Sequence, residues 1–242
     1  MTFLGTIRRL RNGQSQNPFP AQLVARHSEL SVISSLDDLE PSHDEFLVDL
    51  LIKSAGLARQ VDLSSLIDRC TTADDVAYVK TWPGEHYRLL PALVQALNAQ
   101  RVVEVGTYQG QGALALRIAA ESVLTYDIEP WNNFPATVLR DSDFTNGMEQ
   151  RIGDLSNPEY FASQRQALMD ADLIFVDGPK DGVFEQAFSE LLYSAISGSG
   201  KVVIWDDIRL MSMVAVWRNF PVFTLDATSF GHWSGTGLTH SA

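Results

Sequence analysis

The chain has 242 residues, 45% hydrophobic and 20% charged, which supplies material for a large buried core and excludes a disordered, collagenous or coiled-coil protein. Its 30 Asp and Glu against 18 Lys and Arg leave a formal charge of -12, a surface that repels phosphate backbones and anionic lipid, so no nucleic acid and no membrane is expected as a partner. Cys70 is the single cysteine, no apolar run approaches the ~20 residues of a membrane helix, and Arg8, Arg9 and Arg11 lead into polar, proline-punctuated sequence rather than the apolar segment of a secretory signal, so a reducing cytoplasm is the expected location.

Residues 1–30 carry Arg8, Arg9, Arg11 and Arg26 against Glu29, a basic arm on an acidic body. Such a segment is either a loosely docked tail or a docking element for an acidic partner or a neighbouring subunit of a homo-oligomer. Ser42 and Glu45 then make a capping-box pair, and Phe46, Leu47, Leu50, Leu51 and Leu57 recur at helical spacing, which predicts a helix over about 43–59. Two shorter helices are expected over 63–70 and 73–79, the second opened by the pair Thr72 and Asp75. The division expected is a basic arm and helical cap over 1–80 and a ligand-binding domain over 81–242.

From there short β-branched runs alternate with amphipathic helices. Residues 102–105, 123–126, 173–176 and 202–205 are four such runs, with a weaker one at 150–152. A helix over about 208–220 and runs at 222–225 and 237–240, separated by the glycine-rich stretch 231–235, complete the pattern. Alternation of this kind predicts βαβ units: a Rossmann-like, doubly wound, mostly parallel seven-stranded sheet with a C-terminal antiparallel hairpin.

Three constellations carry chemistry. The first is the loop from Glu104 to Gly112, where Gly106, Gly110 and Gly112 stand between a strand and a helix start, the place where backbone approaches a ligand and helix N–H groups are free. Its spacing is not the G-x-G-x-x-G of a dinucleotide fingerprint. Second, Asp127 ends the next strand, about 20 residues on, where a carboxylate can accept both hydroxyls of an adenosine ribose. Asp154, after the weak strand, stands either where it can meet an adenine amino group or as a cap or turn residue before Pro158. Third, Asp177, Asp206 and Asp207 emerge at the carboxyl ends of neighbouring parallel strands, the edge at which open α/β sheets bind ligands. Carboxylates so close repel one another unless a cation lies between them, and an all-oxygen set suits Mg²⁺. The bland alternative is that Asp206 or Asp207 caps the helix starting near Ile208. Lys180 is either a group that holds or deprotonates a substrate hydroxyl, or a surface lysine paired with Asp181.

Taken together, Glu104-x-Gly106-x-x-x-Gly110, Asp127, Gly153-Asp154, Asp177-Gly-Pro-Lys180-Asp181 and Trp205-Asp206-Asp207 resemble the class I S-adenosylmethionine-dependent methyltransferases, and within them the metal-dependent catechol and caffeoyl-CoA O-methyltransferase type. The resemblance covers the chain from about Trp82 onward. It implies S-adenosyl-L-methionine as cofactor, Mg²⁺ or another divalent cation, and a small hydroxylated acceptor. The cofactor contacts it implies are Glu104, Gly106, Thr107, Tyr108, Gly110, Asp127, Ile128, Asp154 and Asp177; the metal ligands, Asp177, Asp206 and Asp207; the catalytic residues, Lys180 and Asp177. The chain departs from that type at Asp207, where an asparagine is usual, and at Gly178-Pro179, which leave no bulky side chain beside the metal. His86 reads as a second base or a structural residue, and Trp131, Phe230 and Trp233 as pocket walls or core filling. The rival readings are an NAD(P)-dependent oxidoreductase and a non-catalytic S-adenosylmethionine-binding interaction protein.

Overall fold

Seven short runs, most of them rich in β-branched and aromatic residues, form one sheet in the computed structural model, which describes residues 44–80 and 85–242. The basic arm, Ser42 of the expected capping box and Trp82-Pro83-Gly84 lie outside the described residues. The strands are β1 (Arg101–Val105), β2 (Ser122–Asp127), β3 (Met148–Ile152), β4 (Leu173–Val176), β5 (Val202–Asp206), β6 (Phe223–Asp226) and β7 (Thr236–His240). Their order is β3-β2-β1-β4-β5-β7-β6. β1 to β5 are mutually parallel, while β7 runs antiparallel to β5 and to β6. The expected parallel sheet and closing hairpin are both present, and the chain reverses from β1 to β4 in the middle of the sheet, which is where such folds open a ligand crevice.

The helices are α1 (Glu45–Ala58), α2 (Ser64–Ile67), α3 (Ala73–Lys80), α4 (His86–Leu97), α5 (Gln111–Arg117), α6 (Pro158–Asp170), α7 (Val183–Ile196) and α8 (Met211–Arg218). Alternate strand residues point to opposite faces, so the sheet has two cores. Val102, Val123, Phe175, Ile204 and Leu238 pack with α1, α4 and α5, whereas Val103, Tyr126, Ile174, Val203 and Trp205 pack with α6, α7 and α8. Leu47, Leu50 and Leu51 of α1 belong to the first core, so residues 44–80 share the sheet's own hydrophobic core and form one compact unit with it.

Local chemistry moves some helix ends from their expected places. Asp44 caps α1, accepting from the Phe46 amide at 2.9 Å, and its second carboxylate oxygen meets Nδ1 of His240 at the end of β7. The Thr72 and Asp75 box forms as expected, each side chain bonding the other's backbone amide at 3.1 Å. α2 is a single turn: Asp62 opens it by accepting from the Ser64 amide, and Arg69 turns away into a bidentate pair with Asp143. α8 starts three residues late because residues 208–209 are hydrogen-bonded to Gly235 and Ser234 of the β6–β7 connection. No described helix is long and apolar enough to cross a membrane.

In the second core the Tyr193 hydroxyl accepts from Trp205 Nε1 at 2.9 Å and lies 2.7 Å from the Thr239 hydroxyl, joining α7, β5 and β7 where no water can substitute. Tyr193→Phe strands a buried indole N–H, and an unmade buried hydrogen bond costs about 1–3 kcal/mol. A urea unfolding curve for this variant is expected to show that loss with an unchanged slope.

Candidate functional site

The glycine loop is held from beneath by a buried polar chain. Glu104, at 1% exposure, accepts from the Thr125 hydroxyl at 2.6 Å; Thr125 lies 2.7 Å from the Thr107 hydroxyl, which in turn accepts from Gln150 Nε2 at 3.0 Å. The network ties β1, β2 and β3 together under the loop. Its side chains face inward, so Glu104 and Thr107, expected as cofactor contacts, support the loop rather than line its outer surface. The reason is steric as well as polar: Gly112 leaves room for the Glu104 carboxyl, whose Oε1 a Cβ there would approach to 2.4 Å.

Gly106 has φ +103°, and a Cβ on it would lie 2.0 Å from the Asp177 carbonyl oxygen. This glycine lets the end of β1 pass against the end of β4, where the Asp177 amide donates to Val105 O at 2.7 Å. The glycine loop and the acidic edge are therefore adjacent. Gly110, at φ +90°, precedes α5 and abuts the Leu139 side chain.

On the outer side, Asp127 accepts from the Tyr108 amide at 2.8 Å through one oxygen and from the Glu129 amide at 3.1 Å through the other. A carboxylate with one donor on each oxygen retains lone pairs for two hydroxyls. Ile128 beside it is 69% exposed, and Tyr108, in the left-handed region at φ 42°, holds an exposed ring edge-on to Phe134. Asp127, Tyr108 and Ile128 thus form one surface at the carboxyl ends of β1 and β2. The Gly153 amide donates to the Asp127 carbonyl, which brings Asp154 alongside; its Oδ1 accepts from the Ser156 amide and hydroxyl, a turn role, while Asn157 is the cap of α6. Trp131 stacks on Phe144 at 5.3 Å and packs, partly buried, against the first core.

The acidic edge is organised by Lys180. Its ammonium bonds Asp177 and lies 3.4 Å from Asp207 Oδ2, not on Asp181, which instead caps α7 through the Val183 and Phe184 amides. Burial works against the lysine's charge, but Asp177, Asp206 and Asp207 outweigh it and hold its pKa above the ordinary range. A group held this way is an ammonium that donates hydrogen bonds. Glu185 fixes the segment, accepting from the Lys180 amide at 2.7 Å and the Gly182 amide at 2.9 Å. No motif pointed to it.

Neither Asp206 nor Asp207 caps α8, whose N-cap is Leu210 and has no side-chain cap bond. Asp206 is buried, and burial together with repulsion from Asp177 and Asp207 raises its pKa well above the carboxylate range. For Asp207 burial acts in the same direction, but hydrogen bonds from His232 and Ser234 and the charge of Lys180 overcome it and hold the carboxyl at about 2. Asp207 sits at φ 60° and Lys180 at φ 61°, so three of the four non-glycine residues with positive φ among those described, Tyr108 included, lie on this edge. Such strain persists only where surrounding contacts impose it.

His232 and Ser234 reach this place through topology. Because β7 is antiparallel to β5, with Asp206 paired to Thr236, the residues before β7 lie at the carboxyl end of β5. Ser234 donates to Asp207 Oδ1, and His232 Nδ1 meets the Ser234 hydroxyl and lies 3.3 Å from the same carboxylate oxygen. His86, buried at the start of α4, places Nδ1 3.7 Å from Asp206 Oδ1. Burial, then His232, drops the His86 pKa to about 3, so the ring is neutral near pH 7. Tyr78 of α3 closes the side, 6.3 Å from the His232 ring, and burial with Asp177 and Asp206 pushes its phenol up to about 12. His232 was readable in advance from the expected hairpin at 231–235; Tyr78 was not, since nothing in α3 marks which face meets the sheet edge.

Among the described residues, Asp206, Asp207 and His232 are the trio that brings one ligand atom each within 4.8 Å of the others. Asp177, expected as the third ligand, is outside that trio, and its carboxylate is bonded by Lys180. Buried His86 Nδ1, Asp206 Oδ1 and His232 Nε2 have no hydrogen-bond partner.

No protein-family model matches the chain, and no curated protein matches it. Among solved structures it is similar to a methyltransferase from Geobacter sulfurreducens (17% identity, covering 93% of this chain and 99% of that one, TM-score 0.48). It is also similar to the O-methyltransferase from Bacillus cereus in complex with SAH (17%, 82% and 96%, 0.47) and to the SAH-bound methyltransferase PaMTH1 from Podospora anserina (13%, 93% and 97%, 0.47). Strand order and an antiparallel β7 define the fold: it is a Rossmann-like, doubly wound, mostly parallel seven-stranded sheet.

Gly106→Ala combines a left-handed backbone with a 2.0 Å collision, and strain and overpacking each cost about 1–3 kcal/mol, so a loss of at least about 2 kcal/mol is expected in denaturant unfolding. Glu104 offers a pH test. Burial raises its pKa well above the ordinary 4.5, so its favourable contribution is complete below pH 4.5 and is lost as pH rises through the raised value. Glu104→Gln removes that loss; unfolding midpoints measured against pH should show the variant gaining on the native chain from pH 4.5 upward.

Proposed function

We propose that the chain is an S-adenosylmethionine-dependent methyltransferase acting on a small hydroxylated molecule. The observation that carries this reading is the adjacency of two surfaces: the Asp127-anchored glycine loop on β1 and β2, and the Lys180-centred carboxylates on β4 and β5, in contact where Gly106 passes Asp177. A cofactor lying on the first would present its methyl group beside the second. Asp127 accepts the ribose hydroxyls, Ile128 covers the adenine face, and Asp154 stands next to the base. The acidic edge favours a positively charged sulfonium over its neutral product.

Methyl transfer to oxygen needs an in-line approach, exclusion of water and an oxygen bearing little proton density. Holding both partners in line is worth several kcal/mol. The acceptor hydroxyl loses its proton to water before its oxygen takes the methyl and the sulfonium C–S bond breaks; the Lys180 ammonium donates to that oxygen, holding it in line and stabilising the anion left by deprotonation. Asp177 and Glu185 keep that ammonium and its loop in place. Asp206 and Asp207, with Asp177 beside them, would hold a divalent ion, which would supply Lewis-acid polarisation of the acceptor oxygen. Tyr78 narrows the entrance and His232 lines it, with Trp233 stacked on the imidazole at 6.1 Å. Cytoplasmic location completes the reading.

Calorimetric titration with S-adenosylmethionine, with NAD as control, tests it. Micromolar binding of the first and none of the second is expected, and Asp127→Ala should weaken it roughly 10- to 100-fold, as loss of hydrogen bonds to a charged group does. Binding of NAD instead points to the oxidoreductase. Binding of S-adenosylmethionine without turnover of any hydroxylated acceptor points to the interaction protein.

A further inference from the structure

We propose that Gln150, on β3, is a positioning residue for the cofactor site: from beneath, it holds the two backbone donors that aim the Asp127 carboxylate. It rests on the methyltransferase reading for the identity of the ligand, while the grip itself is built from contacts within the chain.

Two segments flank Asp127, the glycine loop over 106–110 and the segment that follows β2. Asp127 joins them on the outer side, since one of its oxygens accepts from the Tyr108 amide and the other from the Glu129 amide. Gln150 joins the same two segments from below. Its Nε2 donates to the Thr107 hydroxyl at 3.0 Å and to the Glu129 carbonyl at 3.2 Å, while its Oε1 accepts from the Trp131 amide at 3.0 Å. Thr107 directly precedes one of the two residues that donate to Asp127, and Glu129 is the other. Strand pairing explains the reach: Gln150 is in register with Thr125 of β2, and both side chains belong to the polar chain that ends at Glu104.

An amide is the side chain this place requires. The Thr125 hydroxyl donates to Glu104, so at the 2.7 Å contact between the two threonines it is Thr107 that donates, and the Thr107 oxygen is left to accept. An NH2 group must face it, which turns the Gln150 oxygen toward the Trp131 N–H. A glutamate of the same shape would set a carboxylate against the Glu129 carbonyl and the Thr107 oxygen, and a leucine would make none of the three bonds. Farther along, the two segments meet again where the Val138 amide donates to the Gln109 carbonyl at 2.9 Å and the Phe134 ring lies 5.0 Å from that of Tyr108. The end nearest Asp127 is the one that Gln150 governs. A carboxylate whose own donors are already in place meets ribose hydroxyls without first ordering its surroundings, which is how preorganisation raises affinity.

The experiment titrates the full chain with S-adenosylmethionine and with S-adenosylhomocysteine by calorimetry, for the native sequence, Gln150→Leu, Gln150→Glu, Asp127→Ala and the double variant of Asp127→Ala with Gln150→Leu. Each Gln150 variant should bind both ligands roughly tenfold more weakly and to the same degree, because the grip acts on the adenosine they share rather than on the sulfonium. Since Gln150 acts through Asp127, the double variant should bind within about threefold of Asp127→Ala alone. Thermal melting reports that each variant is folded, and if Gln150→Leu does not fold, the isosteric Gln150→Glu carries the test. Hydrogen exchange at the Tyr108 and Glu129 amides, neither of which is bonded to Gln150, is read by NMR without ligand and should be faster in the Gln150 variants. Unchanged affinity in a folded variant, effects of Gln150→Leu and Asp127→Ala that multiply, or unaltered exchange at both amides overturns the proposal. A native chain that binds neither ligand overturns the methyltransferase reading, and the exchange measurement then decides whether the Gln150 grip stands.

Discussion

Mutual repulsion among three carboxylates at neighbouring strand ends is the constraint on which the rest of the edge depends. Asp177, Asp206 and Asp207 are brought together by parallel pairing of β4 with β5, and nothing in that pairing relieves their charge. The molecule relieves it locally. Lys180 takes Asp177 and reaches Asp207, Ser234 and His232 hydrogen-bond Asp207, and Asp206 is left buried with a raised pKa. Asp207 and Lys180 both accept left-handed backbone to make these contacts, a cost carried by the interactions they complete.

The glycine loop solves a different problem with the same economy of means. A buried carboxyl at Glu104 would be unfavourable if charged and unpartnered, so Thr125, Thr107 and Gln150 extend a hydrogen-bonded chain from it across three strands. That chain fixes the loop's underside, and Asp127 fixes its outer side through the Tyr108 amide. Between them the loop has one allowed path, and Gly106 is the point at which it clears β4. Rigid placement of backbone beside the acidic edge is the property a methyl-transfer site requires.

The helices before residue 80 contribute more than cover. α1 packs its leucines into the sheet's first core and is tied to β7 through Asp44 and His240, while α3 carries Tyr78 to the rim of the site. The site is thereby assembled from three parts of the chain: the helices, the parallel strands and the antiparallel hairpin.

Much of this was legible in the sequence because its signals are local. Short β-branched or apolar runs mark the strands, β3 only weakly, and the acidic residues at the ends of β2, β4 and β5 fall at the carboxyl edge of any parallel sheet built from them. Thr72 and Asp75 announce a helix start from four consecutive residues. What tertiary structure alone decided is which side chains meet. Lys180 could have paired with Asp181 next to it; it pairs with Asp177 and Asp207 because Asp181 is consumed by the start of α7. His232 comes to lie beside Asp206 and Asp207 because an antiparallel β7 returns residue 232 to the end of β5. Sequence patterns report the periodicity that makes strands and helices; partners separated by tens of residues are chosen by strand direction and register, which only the folded sheet contains.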